Sequence, residues 1–167
     1  SDEFPPQQVA LDAYFLGKHE VTQAQYERIT GSNPSDYFWD PTSGELLLHH
    51  PVENVGWDEA RRCALRLGMD LPTEAQWEWA ARAGLADLLG GARGEEANVA
   101  ERGTGELYCG CAGAGNDGFV IHAPVDSMKP NGFGFFHLLG NVEEWCRDHY
   151  VEFSRAESEG LVWASGD

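Results

Sequence analysis

Apolar residues in "VALDAYFLGKHEVT" fall on alternate positions, Val9, Leu11, Ala13 and Phe15, the period of a strand with one buried face. The period changes at Thr22. Thr22 and Gln25 form a capping-box pair, "TQAQYERIT" carries a helix onward, and Gly31 supplies a left-handed stop. In "WDEARRCALRLG", Ala60, Cys63, Ala64 and Leu67 repeat at three- and four-residue spacing, with Arg61, Arg62 and Arg66 off that face and Gly68 ending the helix. "LPTEAQWEWAARAG" repeats the grammar, with Thr73 as cap, Gln76 as its box partner and Gly84 as the stop.

Between these elements the pattern is irregular. "GSNPSDYFWDPTSGELLLHHPVENV" reads as a long surface loop whose residues 52–55 re-enter the core, and Tyr37 and Trp39 within it are candidates for contact with a ligand. After Gly84 a long stretch keeps no period beyond one turn, and loops of that length in a domain are usually functional or disordered. "APVDSMKPNGFGFFHLLGNVEEWCRD" reads as a turn-rich packed segment ahead of a short strand over 142–146. Within it Asn141, Glu143 and Glu144 stand where a plain core would carry hydrocarbon, which fits either a bound cation or a polar turn.

Composition narrows the function classes. The 167 residues suit a single domain with a real core, 42 % of them apolar and six of them tryptophan. Eleven basic against 28 acidic side chains give a net charge of −17, a surface that repels phosphate backbones, so nucleic acid is not an expected partner. No stretch approaches the roughly 20 apolar residues of a membrane span, and "SDEFPPQQ" has no signal-peptide pattern, which leaves the compartment open.

Four cysteines are too few for a disulfide scaffold. Cys63 reads as buried, and Cys109 and Cys111 as free loop thiols or as one disulfide to Cys146. His49 and His50 lack the spacing of a helix-borne zinc site, and no nucleophile elbow is present, so no catalytic residue is assigned.

Three segments, "LGKHEVTQAQYERI", "HPVENVGWDEARRCALRLGMDLPTEAQWEWAARAG" and "APVDSMKPNGFGFFHLLGNVEEWCRD", together resemble the formylglycine-generating enzyme family, also called the sulfatase-modifying-factor family, in family order. The resemblance implies an α+β fold of C-type-lectin-like type, with little regular secondary structure and a few helices around twisted antiparallel strands. It implies one domain over 1–167, expected to be incomplete at its C-terminal end. Trp57, Trp77, Trp79 and Trp145 match positions the family uses for packing.

The resemblance also implies calcium. One family site maps onto Asn98, Val99, Asp117 and Phe119, all able to offer the hard oxygen that calcium takes. A second maps onto the carbonyls of Gly140 and Val142 and the carboxylate of Glu144, with His137 at its first position, where an imidazole is a poor substitute for oxygen.

Catalytic relatives oxidise a substrate cysteine to formylglycine with copper held by a cysteine pair after an Arg-Gly-Gly-Ser string, and neither appears in "EGLVWASGD". The expected function is therefore a non-catalytic, calcium-stabilised scaffold whose loops bind a protein or small ligand, as in the bacterial kinase-linked and variable relatives. Copper is not expected. The alternative is a copper-dependent oxidase whose cysteine-pair block lies outside this chain.

Overall fold

Three capped helices carry the regular structure of the computed structural model, which describes residues 9–40, 43–85, 119 and 121–148. They are α1 (Gln23–Thr30), α2 (Trp57–Arg66) and α3 (Glu74–Arg82). At α1 the Thr22 hydroxyl accepts from the Gln25 amide at 3.2 Å and the Gln25 side chain accepts from the Thr22 amide at 3.0 Å, satisfying two donors that a helix start leaves open. Gly31 closes the helix at φ +93°. Thr73 and Gln76 repeat the exchange at α3, at 3.2 and 2.9 Å.

Gly56 has no side chain to cap α2, so only the return half of the box exists there, the Glu59 carboxylate accepting from the Gly56 amide at 3.0 Å. Arg66, in the last turn of α2, donates to the Ile29 carbonyl at 2.8 Å and so ties down the end of α1. Replacing Thr22 or Thr73 with Ala is expected to cost about 1 kcal/mol each. For a chain of this size that is roughly 2–4 °C in Tm, read by differential scanning fluorimetry.

Two expected strands do not form. Among the described residues there are isolated antiparallel bridges, Thr22 to Pro51 and Trp39 to Leu46, and no strand. Over 9–15 the alternation points the other way: Val9, Leu11 and Phe15 are exposed, and Tyr14 turns inward because its hydroxyl donates to the Gln76 carbonyl at 2.9 Å. Residues 142–146 are irregular, and the Cys146 carbonyl there accepts from the Trp57 indole rather than from a neighbouring strand. On α2 Cys63 is buried as expected, whereas Leu67, the helix's C-cap, is half exposed.

The interior among the described residues is small and unusually polar. Tyr26, Cys63, Ala80, Ala81, Ala123 and Val125 are buried beside Glu20, Thr22, Gln23, Ser35, His122 and His137. Buried polar groups cost free energy unless bonded, and Gln23 shows how this is met. Its amide nitrogen donates to the carbonyls of Tyr37 (2.9 Å) and Pro51 (3.3 Å), while its oxygen accepts from Asn33 at 2.9 Å.

A hairpin stands off this frame. Leu47 N–H donates to the Phe38 carbonyl at 3.0 Å and Asp40 N–H to the Glu45 carbonyl at 2.8 Å, pairing residues 38–40 with 45–47. Phe38, Trp39, Leu46 and Leu48 are exposed along it, at 47, 49, 62 and 39 %. Among the described residues no helix is long and apolar enough to cross a membrane.

Candidate functional site

The segment from Gly140 to Asp148 is held from three sides. Trp57 on α2 donates its indole N–H to the Cys146 carbonyl at 2.8 Å, Trp77 on α3 donates to the Glu144 carboxylate, and Trp145 donates back to the Val55 carbonyl at 2.8 Å. The Arg147 amide donates to the Pro72 carbonyl at 2.8 Å, and Asp148 accepts from the Glu74 amide at the start of α3 at 2.5 Å. A carboxylate at that position also meets the positive end of the helix dipole. The tryptophans therefore act through their N–H groups, and against the packing expectation Trp145 and Trp79 are about half exposed.

Asn141 occupies the left-handed region at φ +65°, which Asn tolerates better than most residues. From there its side-chain oxygen accepts from the Ala123 amide at 2.7 Å, and its nitrogen donates to the Ala123 carbonyl at 3.2 Å and to Glu20 at 2.8 Å. The polar run after Gly140 is thus in part a cross-link between three distant segments.

Glu20 is the residue that sequence reasoning missed. It lies 121 positions from Asn141, and no spacing rule connects them. Burial pushes its pKa up to about 8, against the lowering effect of the Asn141 hydrogen bond, and the nearby Glu144 raises it further while the Val142 backbone bond lowers it. Its second oxygen, Oε1, is buried with no hydrogen-bond partner among the described residues. Glu144 is likewise raised by burial, opposed by the Trp77 bond.

This pair bears on the second calcium position. Glu20, with its orphaned Oε1, and Glu144 are close enough to interact, and the Val142 backbone bonds Glu20; carboxyl oxygens are the hard donors that calcium takes. His137, at the first expected position, is buried at φ +54° with its Nε2 bonded to the Pro124 carbonyl at 3.1 Å, so the imidazole serves the backbone there. Among the described residues no group of three or more His, Cys, Asp or Glu side chains forms a metal cluster, so any ion here would lean on backbone carbonyls and water.

The first calcium position falls mostly elsewhere: Asn98, Val99 and Asp117 lie outside the described residues, as do Cys109 and Cys111, and Phe119 is half-buried. Among the described residues Cys63 and Cys146 are free thiols, and the candidate partners of Cys146, Cys109 and Cys111, lie outside them. Burial, then the carboxylates of Glu74, Asp148 and Glu144, push the Cys146 thiol up to about 11; burial also raises Cys63. Of the two contact candidates, Trp39 stands exposed on the hairpin, and Tyr37 is half-buried at its foot with its amide donating to Glu53 at 2.8 Å.

Fold and site define a class: a loop-rich frame in which a few capped helices grip irregular segments through side-chain-to-backbone bonds. Comparison with known proteins is consistent with this. The family model described as a sulfatase-modifying factor enzyme 1-like domain matches residues 1–167, and the chain belongs to that family.

The formylglycine-generating enzyme of Bos taurus is 29 % identical over 203 residues, covering 93 % of this chain and 54 % of the bovine one. The "Inactive C-alpha-formylglycine-generating enzyme 2" of the same species is 39 % identical over 123 residues, covering 68 % of this chain and 39 % of its own length. The chain thus spans about half the length of the first of these relatives and less of the second. Among solved structures, Treponema denticola variable protein 1 matches at a TM-score of 0.59 and 24 % identity, over 80 % of this chain and 61 % of that one, a likeness of fold.

Proposed function

We propose that this domain is a non-catalytic scaffold that displays its hairpin for contact with a protein or small ligand, in a lectin-like arrangement stabilised by calcium. The carrying observation is the hairpin itself: four large apolar side chains exposed together on a short segment whose base is pinned by the buried Gln23. Loops on a firm frame are where recognition commonly resides.

Calcium would be held by the Glu144 carboxylate with the carbonyls of Gly140 and Val142, and by resemblance at Asn98, Val99, Asp117 and Phe119. Its contribution is charge: it would offset the repulsion between Glu144 and Glu20. Melting with calcium and with EDTA tests this. An ion at about 100 times its Kd adds about 2.7 kcal/mol, or roughly 5–10 °C here. Glu144→Ala should abolish the increment of the second site and Asp117→Ala that of the first; a melt indifferent to EDTA in the native protein would remove calcium from the reading.

The hairpin is tested by Trp39→Ala, expected to abolish capture of a purified binding partner while moving Tm by less than about 1 °C, since exposed positions carry little stability. The alternative, a copper-dependent formylglycine-generating oxidase completed by chain beyond these residues, is favoured by the likeness to the bovine enzyme. Oxidation of a sulfatase-type cysteine peptide by the copper-loaded protein would establish it and displace the scaffold reading.

A further inference from the structure

The feet of the hairpin rest on a pair of imidazoles. His50 Nδ1 lies 2.9 Å from His122 Nδ1 and 3.1 Å from the His122 carbonyl. Both contacts are met at once when His50 Nδ1 carries the proton and His122 Nδ1 offers its lone pair. His122 is buried, and its Nε2 closes no hydrogen bond among the described residues. The other foot, Tyr37, sets its ring edge-on to His122, with centroids 6.1 Å apart at 84°. Beside them the Val125 amide donates to the His49 carbonyl at 3.2 Å, and His49 Nε2 meets Asp126 at 3.1 Å.

We propose that the His50–His122 contact is an acid-released latch: a proton taken up at His122 Nδ1 removes the acceptor, sets two N–H groups head to head, and frees the base of the hairpin from residues 122–126. The charged state has few friends nearby. The His122 imidazole and His49 oppose charge on His50, while the His122 carbonyl and Asp40 favour it; the His122 and Tyr37 backbone favours charge on His122. Burial outweighs these and lowers both imidazoles below the ordinary value of 6.5. A depressed imidazole means that the closed form binds fewer protons than the open one. The latch is therefore whole above that ordinary value and weakens as pH falls below it.

The latch bears on the hairpin assigned above to contact, but it stands on the imidazole geometry alone, and amide exchange reads it without partner or metal. Hydrogen exchange of the full chain in EDTA, corrected for intrinsic rates, should show protection at the Val125 amide falling roughly tenfold or more between pH 7 and pH 5, since each proton taken up on opening contributes up to about tenfold per pH unit. The Arg147 amide, bonded to Pro72, should keep its protection over the same range.

His122→Gln should make Val125 protection independent of pH; if that variant fails to fold by circular dichroism, His50→Gln serves in its place. Imidazole 15N spectra of the wild-type protein supply an independent reading, with His122 Nδ1 unprotonated at neutral pH. PH-independent Val125 protection in the wild type, a protonated His122 Nδ1 with the hairpin attached, or an acid step that survives the substitution would overturn the latch.

Discussion

Glu20→Gln is expected to make the protein more stable than the wild type at alkaline pH, by an amount that grows with pH and levels off above about 8. The folded carboxyl holds its proton to about 8, whereas in the unfolded chain it loses it near the ordinary value of 4.5. Between those values the native state binds the extra proton, so the contribution of this group is full below the lower value and is lost as pH rises through the upper one. From pH 5 to 9 the loss is on the order of 3–5 kcal/mol, or roughly 10 °C in Tm.

Glutamine keeps an acceptor for Asn141 and cannot ionise. Subtracting the wild-type Tm from that of the variant, both in EDTA, cancels the general repulsion of a chain carrying a net charge of −17. Parallel melting curves for the two proteins from pH 5 to 9 would show that Glu20 does not titrate in this range.

Asn141→Ala is expected to be the most damaging single change in the described interior. It strips partners from the Ala123 amide, the Ala123 carbonyl and Glu20 together. Each buried polar group left unmet costs roughly 1–3 kcal/mol, and alanine at positive φ adds about 1 kcal/mol more. A loss of about 4–6 kcal/mol, or roughly 10–20 °C, should appear in thermal or urea melts. Asn141→Gly separates the parts, since it relieves the backbone and restores none of the bonds. A Tm within about 2 °C of the wild type for Asn141→Ala would mean that water replaces the amide, and that the cross-link carries little.

The helices were legible in the sequence because their signals are local. Thr22 with Gln25, and Thr73 with Gln76, declare a helix start within four residues, and the structure closes both boxes. At Gly56 the signal is halved because half of the box chemistry is missing. The alternation over 9–15 was misleading because period two reports only that side chains alternate, and Tyr14, by bonding to Gln76, selected the face that the hydrocarbon count did not.

The candidate site was legible at one end only. Glu144 stands out beside Gly140 and Asn141 as a polar run in an apolar setting. Glu20 and His122 do not stand out, and His50 does so only as a neighbour of His49, because their partners lie 72 to 121 residues away and a one-dimensional pattern carries no pairing at that range.

The indole clamps on Glu144, Cys146 and Val55 join residues 67 to 90 positions apart. Contacts so remote in the chain reward folding only after a large loop has closed. On the ribosome α2 and α3 emerge first, with the indoles of Trp57 and Trp77 still lacking the acceptors that the structure gives them. Synthesis at about 5–20 residues per second leaves those indoles without their acceptors for several seconds, so the clamps can close only late in translation.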